Sequence, residues 1–237
     1  MMIHKRKRIR YSVLMLSLLL LVLAAAGCGS KEKEPKSSQT MNAEQADDLQ
    51  QGSGSEETGK KQWDKMPEMS IDPSKQYSAV FHTSKGEFTV QLFAEDAPTT
   101  VNSFVFLAKN KFYNDITFHR IIETFMIQTG DPTGTGTGGP GYNIPDELGS
   151  DHKYDIGTVA MANTGMPDSG GSQFFICTGD VCSNLNSQPN YTIFGQVTDG
   201  MDSVMAIAKT PVGPGADGNM SKPLEKVTID SIDIIEK

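Results

Sequence analysis

From Tyr77 onward the chain carries short runs in which apolar and polar residues take turns, and most runs end at Gly, Pro, Asn or Asp. Alternation with a period of two is the pattern of a strand with one buried face. Residues 77–81 and 88–93, on either side of the Ser84-Lys85-Gly86 turn, read as a hairpin. Residues 117–122, 125–128, 157–162, 173–177, 192–197 and 224–235 read as further strands. Two segments change period. Residues 97–108 place Val101, Phe104, Val105 and Ala108 on one helical face, with Asp96 as the expected cap and Pro98 in the first turn. Residues 201–208 predict a second, shorter helix with Val204, Met205 and Ala208 on one side. Many short strands and two helices predict a mostly β fold, an antiparallel barrel or sandwich closed at its ends by the helices. The pattern leaves that choice open.

The first 75 residues read differently. A basic run, Lys5 to Arg10, precedes a stretch from Val13 to Ala26 that is apolar apart from Ser17. It matches a signal peptide and falls short of the ~20 residues that a membrane span needs. Ala25-Ala26-Gly27-Cys28 then resembles a bacterial lipobox, so residues 1–27 are expected to be a lipoprotein signal peptide and Cys28 the lipidated mature N-terminus. Residues 28–75 are expected to be a disordered tether, because a stretch so rich in Lys, Glu, Ser, Gln, Gly and Asp buries too little surface to offset its ordering entropy. Its central ~40 residues would span about 35 Å as a flexible coil. The only tryptophan, Trp63, falls in this stretch, so the folded domain, residues 76–237, is expected to hold none.

Loss of the leader removes five basic residues and takes the formal charge from -8 to -13. Such a chain is repelled by phosphate backbones, which argues against a nucleic-acid partner. It is repelled by anionic lipid too, so attachment to a membrane would have to come from acyl chains on Cys28. That places the expected location at the extracytoplasmic face of the cell membrane. Beyond Cys28 only Cys177 and Cys182 remain, and two free thiols are expected in preference to a bond between them.

The sequence shows no convincing nucleophile, metal cluster or nucleotide loop. The run from Asp131 to Gly139 lacks the lysine of a phosphate-binding loop, and the scattered Asp and Asn residues do not have calcium-loop spacing, so no metal and no cofactor are expected. What stands out is one arginine, two amides and large apolar side chains in two blocks. The first is Phe118-His119-Arg120-Ile121-Ile122 with Phe125, Met126 and Gln128; the second is Met161-Ala162-Asn163 with Ser172-Gln173-Phe174-Phe175-Ile176. With Gly130-Asp131 and Phe194-Gly195 in the same order, these closely resemble the cyclophilins, the peptidyl-prolyl cis-trans isomerases. The resemblance runs from about Tyr77 to the C-terminus. It implies a closed eight-stranded antiparallel barrel with a helix over each mouth, substrate bound on the outer wall, and proline-containing polypeptides as clients. A monomer is expected.

The resemblance assigns catalysis to Arg120. An X-Pro bond prefers trans by only about 0.5 to 1 kcal/mol, yet its isomers are separated by ~18 to 20 kcal/mol of lost amide resonance. A twisted amide frees the prolyl nitrogen lone pair, and a planar, always-charged donor can bond to it there and not in the ground state. Alternation sets Arg120 on one face and His119 with Ile121 on the other, which makes His119 a hydrogen-bonded core residue in expectation. Phe125, Met126, Phe175 and Leu185 match the apolar proline pocket, and Phe174 is expected in the core. Gln128 and Gln173 match the residues that orient substrate and arginine, and Ala162-Asn163 matches the edge that holds an extended peptide. Asn184 stands where the best-known relatives carry tryptophan and Tyr191 where they carry histidine, so activity is expected to persist with weak cyclosporin inhibition. A peptide-binding module with little turnover is the competing reading; retention of Arg120 favours the enzyme.

Overall fold

The computed structural model describes residues 62–237. The expected leader, Cys28 and the tether as far as residue 61 lie outside the described residues. Within them alternation does what it predicts in the first hairpin. In β1 (Tyr77–Thr83) and β2 (Gly86–Leu92), Tyr77, Ala79, Phe81, Phe88, Val90 and Leu92 are buried and their neighbours are not. Phe81 and Phe88 face each other across the pair and stack with centroids 4.5 Å apart. Such directly opposed residues share a face of the sheet.

The remaining strands are β3 (Ile116–Thr117), β4 (Arg120–Ile122), β5 (Met126–Thr129), β6 (Thr158–Met161), β7 (Phe174–Cys177), β8 (Ile193–Asp199), β9 (Val212–Pro214), β10 (Met220–Pro223) and β11 (Thr228–Glu236). Of the eleven strands among the described residues, nine form one antiparallel sheet in the order β3-β11-β1-β2-β8-β6-β7-β5-β4, and β9 pairs with β10 in a separate ribbon. The mostly β, antiparallel, two-helix expectation holds. The closed ring of eight strands does not appear as a ladder: the sheet has nine strands and its edges, β3 and β4, do not pair with each other. The physical reason lies in the stretch predicted as the single strand 117–122. Its first part pairs with β11 and its last part with β5. Between them Phe118 N–H donates to the Val227 carbonyl and His119 N–H to the Gln128 carbonyl. Phe118 and Ile121 both enter the core although three residues apart, so parity slips at His119 and the strand is interrupted there.

Helix α1 (Pro98–Lys109) lies against β11 and sends Phe104 into a set of rings with Tyr113, Phe174 and Phe194 at 5.2–5.7 Å. The expected cap Asp96 does not serve it; Asp96 pairs instead with His152. The Glu147 carboxylate accepts from Thr99 N–H at 2.9 Å and Thr100 N–H at 2.8 Å, placing a negative charge on the positive end of the helix from 47 residues away. Helix α2 (Met201–Ala208) lies against β2, β4 and β5.

The tether expectation fails for residues 62–75, which pack on the domain. Trp63 N–H donates to the Pro140 carbonyl, and its ring meets Phe106 at 5.2 Å and Phe112 at 6.0 Å. Ile71 is 8% exposed, and Asn102 on α1 accepts from Ser70 N–H and donates to the Glu68 carbonyl. Composition averaged over the stretch hid two apolar anchors that have a receptive surface elsewhere in the chain. Trp63→Ala is expected to lower stability by about 2 kcal/mol, roughly half the effect of emptying a fully buried aromatic site. A thermal melt of the full chain checks this, and an unchanged Tm would show that the indole contacts contribute nothing.

Candidate functional site

Register carries one outward-facing row across four strands. Arg120 on β4 lies opposite Gln128 on β5, Gln128 opposite Phe175 on β7, and Phe175 opposite Ala160 on β6. The next row, Ile121, Ile127, Ile176 and Val159, is at most 1% exposed and belongs to the core. One further along, Ile122, Met126 and Cys177 are again on the outer side. Alternation therefore holds from Arg120 onward, and Arg120 stands at the edge of an outward apolar surface.

That surface is a hydrophobic cluster separate from the core. Met126, Tyr154, Ala160, Phe175, Cys177, Cys182 and Ile193 form it, with Phe125, Ala162, Leu185 and Tyr191 packed at its margin. The four expected pocket residues, Phe125, Met126, Phe175 and Leu185, come together here with Tyr191, whereas Phe174 is fully buried in the core as expected. Tyr191 meets Phe175 edge-on at 5.4 Å, and Phe125 approaches the same ring at 6.5 Å. Two supports are absent from the sequence reading. The Tyr154 hydroxyl donates to the Tyr191 carbonyl at 2.6 Å and accepts from Tyr191 N–H at 3.1 Å, tying down the wall that Tyr191 provides. A lone tyrosine after His152-Lys153 gives no signal of this in the sequence.

The second support overturns the expectation of free thiols. Cys177 and Cys182 form a disulfide, which joins the end of β7 to the 3-10 segment Asp180–Ser187 that carries Leu185. The chain turns back at Thr178-Gly179, whose Cα lies so close to Thr124 that a side chain there would collide. That turn brings the two Cα atoms to 5.7 Å, within disulfide reach.

A polar chain runs along the rim. Arg120 donates from Nε to Asp217 Oδ2 at 2.7 Å and from Nη1 to Gln128 Oε1 at 3.5 Å, with Met126 Sδ at 3.8 Å from Nη1. Gln128 Nε2 donates to Gln173 Oε1 at 3.0 Å, and Gln173 Nε2 to the Gly138 carbonyl at 2.9 Å. The Arg120 and Asp217 side chains are only 27% and 25% exposed. Burial alone would raise the Asp217 carboxyl, but donors from Ser221, Arg120 and Asn219 outweigh it and hold that group far below the usual carboxylate range. Asp217 was missed because it sits among Gly, Ala and Asn in a run that reads only as a turn.

The glycine-rich run is organised around the Asp131 carboxylate, which accepts from Thr133 N–H and Oγ1 at 2.7 Å each and from Gly136 N–H. Burial pushes the Asp131 carboxyl up, yet these donors together leave it below its ordinary value. Backbone N–H groups that a phosphate would need are thus turned on an internal anion. The same loop presents the Gly138 carbonyl to Gln173. Gly130, with φ of +86°, lets β5 lie directly on the Ser172 carbonyl, where a Cβ would collide. Across the groove Ala162 N–H is used by the Gln173 carbonyl, and Asn163 spends its side chain on the Asn190 carbonyl and Gly165 N–H. The Asn163 backbone itself has no partner among the described residues and is open to an extended peptide.

His119 departs from expectation. Its ring is largely buried beside Gly136, and neither nitrogen has a hydrogen-bond partner among the described residues. Burial chiefly lowers its pKa, so the neutral ring is favoured. What converges on the notch is therefore one cation, two amides and an unpaired stretch of backbone around apolar rings.

Comparison with known proteins agrees with this geometry. The family model described as Cyclophilin type peptidyl-prolyl cis-trans isomerase/CLD matches residues 78–234. A protein of Staphylococcus saprophyticus named "Putative peptidyl-prolyl cis-trans isomerase" is 40% identical over 185 residues, 66% of this chain and 91% of its own length. A Staphylococcus aureus protein of the same name is 41% identical over the same shares. The crystal structure of a Cryptosporidium parvum cyclophilin type peptidyl-prolyl cis-trans isomerase superposes with a TM-score of 0.61 at 31% identity, covering 68% of this chain and 99% of that one. The structure bearing that name in the presence of the dipeptide Ala-Pro gives 0.60 at 32% identity, with the same coverage.

The disulfide closes a short loop, for which chain entropy gives about 2 kcal/mol of stabilisation. Protein purified from an oxidising compartment and denatured without reductant is expected to leave Cys177 and Cys182 unalkylated by iodoacetamide, and dithiothreitol is expected to lower its Tm. Alkylation of both residues without reductant would show that the thiols are free.

Proposed function

The chain belongs to the cyclophilin-type peptidyl-prolyl cis-trans isomerase family and is a peptidyl-prolyl cis-trans isomerase, and from that premise we propose how its residues divide the work and where it acts. The reading rests above all on Arg120, a half-buried guanidinium fixed at the rim of an outward apolar notch.

Phe125, Met126, Phe175, Leu185 and Tyr191 receive the prolyl ring. Removing water there favours the less polar, twisted amide over the planar one. The Ala162-Asn163 edge and Gln173 hold the flanking backbone in extended form, so that the substrate's chain is fixed on one side of the bond while the other rotates. Arg120 donates to the prolyl nitrogen once its lone pair is released. Because that bond forms only near the top of the barrier, it raises turnover and leaves ground-state binding little changed. No bond to carbon is made or broken. The closed barrel of eight strands remains a reading of the same sheet in which β3 and β4 count as one interrupted strand; its support is that they are consecutive in the chain.

We place the enzyme outside the cytoplasm, tethered through lipid on Cys28, acting as a monomer on proline-containing chains of secreted or envelope proteins. The signal-like leader and the lipobox-like Ala25-Ala26-Gly27-Cys28 support this. So does the disulfide, since paired thiols suit an oxidising compartment. Uncatalysed isomerisation takes tens of seconds or longer, slow enough to limit folding there.

Arg120→Ala is expected to lower kcat/KM on an X-Pro peptide in a protease-coupled assay by about a hundredfold, equivalent to ~2.7 kcal/mol. The variant should remain folded by circular dichroism; parental turnover in it would end the assignment. For location, a cell expressing the full chain and fed radiolabelled palmitate is expected to label the parent and not Cys28→Ala. Equal labelling of both, or of neither, would remove the lipid anchor.

A further inference from the structure

The guanidinium that the proposed mechanism uses is held mainly from the loop between β9 and β10, away from the apolar cluster. Of its three side-chain hydrogen bonds among the described residues, that to Gln128 Oε1 at 3.5 Å is at the limit and that to Met126 Sδ at 3.8 Å has a weak acceptor. The bond to Asp217 Oδ2 at 2.7 Å is short and charge-assisted, roughly twice the strength of a neutral one. Distance and charge together make Asp217 the strongest contact on Arg120.

Asp217 is itself fixed. It lies in the loop joining β9 to β10, where Asn219 N–H and the Ser221 hydroxyl donate to Oδ1 at 3.1 and 2.6 Å, and Asn219 Nδ2 donates to Oδ2 at 3.2 Å. The Gly215 and Asn219 backbones close the loop at 2.8 Å, and Ser221 is 2% exposed. β10 lies against β4, so the ribbon is carried on the strand that bears Arg120. A carboxylate with three donors of its own does not follow a mobile arginine; the arginine follows the carboxylate.

We propose that Asp217 is a positioning residue for the isomerase reaction, gripping the Nε edge of Arg120 so that the terminal nitrogens of the fork are aimed at the twisted amide. The ribbon formed by β9 and β10 thereby becomes part of the catalytic apparatus. This rests on the reading of Arg120 as the transition-state donor.

The test compares kcat and KM separately, by exchange spectroscopy on an X-Pro peptide, for the parent, Asp217→Asn, Arg120→Ala and Arg120→Lys, and for Asp217→Asn combined with Arg120→Lys. Misplacing a reacting group by an ångström is worth up to about a hundredfold, so a loss of about tenfold in kcat is expected for Asp217→Asn, with KM within about twofold. In the Arg120→Lys background the same change is expected to add nothing, because its effect passes through the guanidinium fork. Raising NaCl from about 0.05 M to about 1 M should lower the parent's kcat and leave that of Asp217→Asn level, since salt screens an ion pair that the variant lacks. A purely structural role would move Tm and not this pattern.

Parental kcat in Asp217→Asn, with Arg120→Ala inactive, overturns the positioning role and spares the catalytic arginine. Parental kcat in Arg120→Ala overturns both. A rise in kcat for Asp217→Asn would make the carboxylate a competitor of substrate and also overturn the proposal. Should Asp217→Asn lose Tm, exposed Asn219→Ala gives the second measurement: a loss of kcat of about threefold supports the grip and none overturns it.

Discussion

Side-chain parity along β4, β5 and β7 governs the whole site. Successive residues of a pleated strand leave on opposite faces, so a slip of one position at β4 would send Arg120 into the core and Ile121 into water. The slip is prevented by the isoleucine row on the inner side, where Ile121, Ile127 and Ile176 are each completely buried. Moving any of them outward would forfeit a buried aliphatic side chain, about 1.5–3 kcal/mol each. The interruption at Phe118-His119 matters for the same reason. It lets Phe118 and Ile121 both face inward, which leaves Arg120 on the outer side at the point where β4 begins.

An apolar notch on an outer face has no second layer to hold it. The site meets this difficulty with short-range ties. Tyr154 clamps Tyr191 through two hydrogen bonds, the Cys177–Cys182 disulfide ties Leu185's segment to β7, and Asp131 winds the glycine loop that presents Gly138 to Gln173. Residues 62–75 extend the scheme, because Trp63 bonds Pro140 at the far end of that same loop. Preorganisation of this kind lowers the ordering that substrate binding would otherwise require. It also means that the parts of the chain with the least regular structure do much of the positioning.

What could be read from the sequence was local. The hairpin, both helices, the outward Arg120 and the inward Phe174 all follow from alternation or helical period within a few residues. The family resemblance was recognisable because Phe125, Met126, Gln128, Gln173 and Phe175 sit in two compact blocks. The parts that escaped depend on partners far along the chain. Glu147 caps α1 in place of Asp96, Asp217 meets Arg120 from 97 residues away, and Asn102 receives Ser70. A carboxylate in a polar loop carries no mark of the donor that it will find. Nor did composition reveal that Trp63 and Ile71 have somewhere to bind. Cys177 and Cys182 were read as free thiols because spacing does not show whether five residues return on themselves, which depends on the close approach of Gly179 to Thr124.

The carboxylate beside the guanidinium raises a question of sign. An anion at 2.7 Å weakens the positive field that a developing lone pair would feel, so under the proposed mechanism Asp217 would oppose catalysis on charge alone. At partly exposed sites like this one the interaction between unit charges some 4 Å apart falls between about 1 and 4 kcal/mol, and the substrate's nitrogen carries only partial charge. Orientation acts more steeply. A hydrogen bond weakens sharply as its angle closes below about 120°, and a guanidinium on four rotatable bonds spends little time at the right angle unless something fixes it. The donor is needed only for the moment when the amide is twisted, so readiness counts for more than field strength. On this balance, and under the proposed mechanism, a fixed carboxylate on the Nε edge would strengthen the arginine as a donor even while it partly neutralises it, because the terminal nitrogens keep only the long contacts to Gln128 and Met126.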